Sequence, residues 1–551
     1  MSRVDKKCIL GLFAVILLVA GVFVCKAAKT TALVDHSYMI ENSYRIYLGQ
    51  TPYRDFVLSL PVGSFYITAL FWHLFGLSQI SVIIGLAVTY VIGLFIVWDT
   101  LSELTGDRLW SAVMLFPLAF AGYGLIGMMP SYDINETFAC ALSLDLFLKL
   151  LRTKKHRYAV LTGLSMLPVL LFKHTTGAVF LGLMFLLVTA ALVCRKLPRK
   201  DYLCYCAGTA ASVGAVVGWL LMNGVLKSAW VQMFQYPSSV RSAAGPVKDV
   251  IKSFVSKDIL IILATTLLIC VCGHILLKKR ENAGGVHIVC IVWSMAVMPL
   301  IRLLISSCDA QTAFGYQWNV LLIMTVLLLA KKAITERRLD LRYAVYAVVL
   351  LFIGANFTSQ GINGSTYGLY PFFMILLAIL YREKALQKAT LIAAVICTAF
   401  GLIMINVTES RLDYVTHDSD LRAVTVQERL YPLAADESFI REFDGLAAWL
   451  EDNVREDETV YALPGEDPLY FATGREPQLG YFQLNETTFP YEPVKVAEDC
   501  KNARIDYLIV KEHLQCPNGF MDFGEIIESL KDSYELYTSI EGYRIYKLRA
   551  G

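Results

Sequence analysis

The sequence predicts a polytopic α-helical membrane protein of about thirteen transmembrane helices that carries a small C-terminal extracytoplasmic α/β domain. Three observations lead there. Of 551 residues, 56% are apolar and 17% charged, against roughly 45–50% and about 25% in a soluble domain. Long uncharged runs recur along most of the chain. The charge is divided: residues 1–406 hold 35 Lys/Arg against 18 Asp/Glu, a net +17, while residues 407–551 hold 14 against 29, a net −15. A nucleic-acid-binding class needs a basic, water-facing surface. The only polar part here is acidic, so that class is excluded.

The first run, CILGLFAVILLVAGVFVC (residues 8–25), follows the basic start MSRVDKK. At about 1.5 Å per residue it nearly crosses a hydrocarbon core of roughly 30 Å. It lacks a clean A-x-A site, so a retained helix is the better reading than a cleaved signal. Further runs are centred near residues 88, 117, 142, 165, 184, 212, 267, 295, 323, 348, 375 and 397, which makes thirteen. An odd number puts the chain ends on opposite sides. Basic residues in the connections set the direction. With the N-terminus cytoplasmic, the inside connections hold 24 Lys/Arg, among them Lys149 to Arg157, Arg195 to Lys200, Lys278 to Arg280 and Lys331 to Arg342. Eleven remain for the longer outside loops, and the acidic tail falls outside.

Two outside loops are long, residues 29–79 and 222–257. The first contains VGSFYITALFWHLFGL, whose Tyr, Phe and Trp suit a membrane interface. We read residues 62–78 as an interfacial helix, because a span there would invert every later connection against the charge count. The division expected is therefore a membrane domain, 1–408, with interfacial helices in loop 29–79, and an acidic extracytoplasmic α/β domain, 409–551. In the latter, FIREFDGLAAWLEDNV has helical spacing and TVYAL and IDYLIV read as strands. GEIIESLKDSY reads as a helix, and ELYTSIEGYRIYKL as a hairpin turning at Glu541-Gly542. Cys500 and Cys516, its only cysteines, could form a disulfide on an oxidising side.

The motif GYGLIG (residues 122–127) matches a dinucleotide-binding fingerprint literally, but it lacks a preceding strand and lies in an apolar span, so helix packing explains it better. Polar groups concentrate instead near the outer face. Asp35 and His36 open the first loop, with Glu41, Arg45, Arg54 and Asp55 nearby. Tyr132, Asp133, Asn135 and Glu136 occupy the second turn, Lys173 and His174 the third, and Arg302 ends the ninth span. Ionisable groups this close to hydrocarbon are costly and tend to pair or face cavities. Acids and cations gathered on one face suit an anionic, lipid-linked substrate.

The pattern D-x-x-Y-x(5)-Y-R-x-Y-x-G-x-x-P-Y-R-D-F-x(4)-P-x-G-x-x-Y beginning at Asp35, ending in LFWHLFGLS, resembles the first extracytoplasmic loop of C-type (GT-C) membrane glycosyltransferases. That family includes protein O-mannosyltransferases, lipid A aminoarabinose transferases and related bacterial lipopolysaccharide-sugar transferases. The likeness is specific over residues 35–80 and extends in architecture to YDINE, LFKHTTG and the GYQWNVLLIMTVLLLA span. It implies a sugar donor on a polyprenyl phosphate, an envelope glycan, lipid or protein acceptor, and a multi-pass protein of the cell membrane.

It also implies that Asp35 is the catalytic base of an inverting displacement. Arg54, Lys173, Arg302 and His174 would bind the donor phosphate, with Asp133, Tyr132, Asp55 and His36 on the acceptor side or in support. Many members carry Asp-Glu where this chain has Asp35-His36, so the second acidic role stays unassigned. A divalent metal is compatible with the reading, and no ligand set is assigned to one. The competing class is a transporter or flippase for a lipid-linked glycan or other envelope precursor. Transporters place polar residues near the midplane, often in paired repeats; here the midplane is nearly free of charge and no internal repeat is visible.

Overall fold

The computed structural model describes residue 11 and residues 33–121, 130–240, 244–277, 283–306, 308–336, 340–408, 422–485, 491–514 and 523–549. Apart from Gly11, the expected helix at 8–25 lies outside the described residues, as do the GYGLIG motif, Lys278 to Arg280 and Cys516.

The chain is a multi-pass helical membrane protein. Two short helices, α1 (Leu33–Tyr47) and α2 (Gly63–Phe75), precede the bundle's later helices. The helices of the bundle follow: α3 (Gln79–Thr105), α4 (Arg108–Ala121), α5 (Tyr132–Thr153), α6 (His156–Phe172), α7 (His174–Val193), α8 (Arg199–Met222), α9 (Lys257–Leu277), α10 (Gly285–Ile305), α11 (Ala310–Thr335) and α12 (Leu341–Arg382). Helix α13 (Lys388–Thr408) ends the bundle, and α12 is broken at Gly361. Among the described residues, eight helices are long and apolar enough to cross a membrane, and three shorter apolar ones lie at 108–120, 156–172 and 368–382. Every apolar run expected after the first coincides with a helix. α5 is long enough, but Asp133, Glu136, Asp145, Lys149 and Arg152 reduce its hydropathy.

The bundle core is built from α3, α5, α7 and α12. Phe138, Phe147, Phe180, Phe352 and Phe372 are all buried there. Helices α6 and α8 cross at glycines: a Cβ on Gly208 would lie 2.5 Å from the Val160 carbonyl oxygen, and one on Gly163 would lie 2.4 Å from that of Tyr205. Small residues let the backbones touch, the usual means of helix association in lipid. Helix α2, at about 1.5 Å per residue, spans roughly 20 Å, too short for the hydrocarbon core. It exposes Tyr66, Leu70, Leu74 and Phe75 on one side and buries Phe65, Ala69 and Trp72 on the other.

The C-terminal residues form an α/β unit. A four-stranded sheet has the order β3-β4-β6-β5, with β3 (Val460–Leu463) parallel to β4 (Tyr507–Lys511). β6 (Tyr543–Leu548) runs antiparallel to both β4 and β5 (Tyr534–Ile540). The β5–β6 hairpin turns at Gly542, as its sequence predicts. A two-stranded ribbon of β1 (Arg422–Val424) and β2 (Ala434–Asp436) precedes helix α14 (Glu437–Asn453), which buries Phe439, Phe443, Leu446 and Leu450. Helices α15 (Leu469–Thr473), α16 (Pro493–Asn502) and α17 (Gly524–Leu530) complete the unit. Buried residues of α14 and the sheet form one apolar cluster with Ile40 and Tyr44 of α1, Trp72 of α2 and Val82 of α3.

The α6–α8 crossing gives a first prediction. Gly208→Val should lower the melting temperature of the detergent-solubilised protein by the equivalent of about 1–3 kcal/mol, the usual cost of overpacking. A melting curve identical to that of the unmodified chain would contradict the close crossing.

Candidate active site

Helix α1 carries the first group of candidates, and almost none of it meets solvent. Its pattern LVDHSYMIENSYRIY places Met39 and Ile46 seven residues apart on one side, against Phe56, Phe65 and Leu220. Ile40 and Tyr44, four apart, face the C-terminal unit. Asp35 stands in the first turn, half-buried, between the buried residues Val34 and His36. The His36 Nε2 lies 3.1 Å from Gln79 Oε1. Burial lowers this histidine to about 4, against the opposing Gln79 contact. At neutral pH it is therefore an uncharged ring and supplies no cation for a phosphate.

Two further ionisable residues of α1, Glu41 and Arg45, are wholly buried, and the C-terminal unit supplies a partner to each. Glu41 accepts the Phe471 backbone N–H at 3.0 Å. Burial pushes its carboxyl up to about 8, despite that hydrogen bond and the nearby Arg45 guanidinium. Arg45 donates to the Leu479 carbonyl at 2.8 Å and to Gln50 Oε1 at 3.2 Å. The Phe471 ring stacks on Trp72, 4.9 Å between centroids, and meets Tyr44 edge-on.

The second group lies where α5 begins and α6 meets α7. Lys173, only 4% exposed, donates to Asp133 Oδ1 at 2.7 Å. One turn further on, the buried Glu136 accepts the Thr176 hydroxyl at 2.5 Å, and among the described residues its other oxygen has no hydrogen-bond partner. Asn135 reaches Ser64 of α2 at 3.4 Å, which joins this group to the first loop. Tyr132 packs on the apolar cluster of Tyr53, Phe56 and Phe65. His174 lies edge-on to Phe234, 4.7 Å between ring centroids.

Arg302 belongs to a third group, at the same end of the bundle by the alternation of the helices. Its Nε lies 3.1 Å from Asp258 Oδ2 at the start of α9, and its guanidinium sits 4.5 Å above the Tyr316 ring. Tyr316 donates to the same Asp258 oxygen at 3.2 Å. Arg54 and Asp55 form a separate turn, paired at 2.9 Å with Arg54 57% exposed. Asp55 also accepts the Thr51 N–H at 2.6 Å. The Arg54 hydrogen bond holds the Asp55 carboxyl below its ordinary range.

Thus Lys173, Asp133 and Tyr132 are brought together beside the first loop, Arg302 lies in its own pair, and Arg54 and Asp55 hold each other. Sequence reasoning did not single out Asp258, the partner of Arg302, and gave no site role to Glu136 or Glu41. For Glu136 the signal was present, a carboxylate three residues after Asp133 on a membrane helix. Among the described residues, no three His, Cys, Asp or Glu side chains converge to hold a metal ion.

No protein-family model matches the chain, and no curated protein matches it in sequence. Among solved structures, the fold is similar to ArnT from Cupriavidus metallidurans in the apo state, with 12% identity, a TM-score of 0.49 and 99% and 98% of the two chains covered. It is similar to the same protein bound to undecaprenyl phosphate, at 11% identity and a TM-score of 0.48, over 100% and 99%. A third is the Archaeoglobus fulgidus oligosaccharyltransferase in complex with Zn and sulfate, at 14% identity and a TM-score of 0.47, covering 98% of this chain and 73% of that one. The likeness is one of chain path, and function is decided by the side chains of this chain.

Burial of Glu41 has a pH consequence. The folded chain keeps this proton up to about 8, against 4.5 when exposed. The folded state therefore holds more protons between those values, and stability falls as pH rises through that window by at most about 1.4 kcal/mol per pH unit. Above pH 8 the loss levels off. Glu41→Gln keeps an acceptor for the Phe471 N–H and cannot ionise, so its melting temperature should fall less between pH 5 and 8. Equal slopes for the two proteins would contradict this.

Proposed function

We propose that the chain is an integral-membrane glycosyltransferase that moves a sugar from a polyprenyl-phosphate donor to an extracytoplasmic acceptor. The observation that carries this reading is the position of Asp35. It lies in the first turn of α1, within the loop motif that resembles the GT-C family, at the end of the bundle where Lys173 and Arg302 are held. The orientation that goes with it puts the N-terminus in the cytoplasm and residues 409–551 outside, as the basic connections favour.

The chemistry follows from the leaving group. An acceptor hydroxyl attacks the anomeric carbon from the face opposite the phosphate, and Asp35 takes its proton as the new C–O bond forms. The bond from the sugar to the phosphate oxygen breaks, and the polyprenyl phosphate leaves with the electron pair. Cations near that oxygen offset the charge it gains. Lys173 and Arg302 suit this task because each is kept at the membrane edge by one carboxylate, Asp133 and Asp258 respectively. A phosphate can share or replace that partner without leaving an uncompensated charge. Arg54, already paired with Asp55 and open to water, suits a shaping role in the loop.

The test uses the full chain in liposomes made with host membrane lipid extract in which the polyprenyl-phosphate sugars carry a radiolabel. Asp35→Asn should lower release of label from the polyprenyl-phosphate fraction by about 100-fold or more, a base contribution of usual size, while membrane insertion is unchanged. Full transfer by the variant would remove Asp35 as the base. Movement of label across the bilayer without any transfer would favour the transporter.

A further inference from the structure

Residues 464–484 leave the sheet of the C-terminal unit, cross to the membrane bundle and return. Gln50 of the first loop donates to the Pro477 carbonyl of this excursion at 3.4 Å, and four shorter polar ties fasten the two together. Gln483 Nε2 donates to the Val34 carbonyl at 2.8 Å. The Phe471 N–H meets Glu41, and the Leu479 carbonyl meets Arg45. The Gly480 carbonyl accepts the Val57 N–H at 2.8 Å. The ties thus reach the start, middle and end of α1 and the loop after it.

The excursion is itself anchored at its base. Lys511, at the end of β4, is buried with its Nζ 2.7 Å from Glu466 and 2.6 Å from Asp467, and Tyr543 donates to Asp467 at 2.9 Å. The two legs of the excursion touch where the Leu484 N–H donates to the Pro464 carbonyl at 2.9 Å. Gly465 has φ +84°, and a Cβ there would lie 1.8 Å from the Phe482 carbonyl oxygen, so the contact of the legs requires glycine at this position. The Gln483 carbonyl accepts the Tyr491 hydroxyl. The side chain of Gln483 therefore leaves a fixed backbone, is itself buried, and ends on the peptide that joins Val34 to Asp35.

We propose that Gln483 is a positioning residue for Asp35: through the Val34 carbonyl, the C-terminal unit sets the place of the first turn of α1 and with it the carboxylate that acts as base. This inference rests on the glycosyltransferase reading, in which Asp35 is the base. It makes the acidic unit part of the reaction centre. The hydrogen bond itself does not touch substrate, so its loss acts on the rate of the chemical step, where a displacement of about 1 Å can cost up to two orders of magnitude.

The experiment compares the unmodified chain, Gln483→Ala, Gln483→Leu and Asp35→Asn, each full-length and in lipid, by hydrogen exchange and by transfer from the labelled polyprenyl-phosphate sugars. Both Gln483 variants should exchange faster in residues 34–40 while the strands 460–463 and 507–511 keep their protection. Both should lose about tenfold in kcat with KM for the donor lipid unchanged. Leucine fills the space without donating, so a side chain that merely packs would be replaced by it without loss. The proposal is overturned if exchange in 34–40 is unaltered, if protection is lost across the whole sheet, if the leucine variant retains full kcat, or if exchange rises while kcat stays constant. Asp35→Asn separates the two failures: full activity there removes the base itself, whereas an inactive Asp35→Asn beside fully active Gln483 variants removes only the positioning role.

Discussion

Helix α1 is polar, yet it is covered on both sides, and that constraint governs the rest of the arrangement. His36, Ser37, Glu41, Asn42, Ser43 and Arg45 are all buried. A buried polar group without a partner costs on the order of 1–3 kcal/mol, and a charged one more. The α1 backbone answers only some of these needs: Ser43 donates to Met39 and Asn42 to Tyr38. Gln79 meets His36 from α3, and the backbone at Phe471 and Leu479 meets Glu41 and Arg45 from the C-terminal unit. The bundle and the acidic unit are therefore joined through polar satisfaction as well as through the apolar contacts of Phe471.

The cations obey a related rule. Lys173 and Arg302 stand close to hydrocarbon, where an unpaired charge is expensive. Each is matched to one carboxylate on a different helix, α5 for Lys173 and α9 for Arg302. Pairing of this kind keeps a positive group in place without consuming all of its donors. Lysine has three N–H donors and arginine five, so capacity remains for an anion that arrives from the membrane. The same pairs tie helices together at the end of the bundle where the first loop lies, so in the proposed reaction structural cohesion and phosphate recognition would draw on the same side chains.

Much of this architecture is legible in the sequence because it is local. Apolar runs give the spans, the Phe439 to Leu450 spacing gives α14, and alternation around Glu541-Gly542 gives the hairpin. Asp35, Lys173 and Arg302 are visible as charges beside apolar runs. Their partners are less visible. Asp258 looks like an ordinary helix flank until the fold sets it against Arg302. Glu41 lies four residues before Arg45, a spacing that reads as an exposed pair on an isolated helix, whereas in the fold it is wholly buried and burial pushes its carboxyl up to about 8. Gln483 is 449 residues from Val34, and no period or motif joins them. Only the path of residues 464–484 out of the sheet does so.

In the proposed reaction the held cations contact one bound phosphate, and the Asp35 carboxylate lies on the acceptor side of the same space. The most direct measurement is the structure of the full chain in a lipid nanodisc with a polyprenyl phosphate bound. The phosphate is expected at the end of the bundle that carries α1, in contact with Lys173 or Arg302, with the Asp35 carboxylate facing the same space from the acceptor side. A phosphate bound elsewhere, or Asp35 turned to bulk water away from that space, would contradict the proposed reaction.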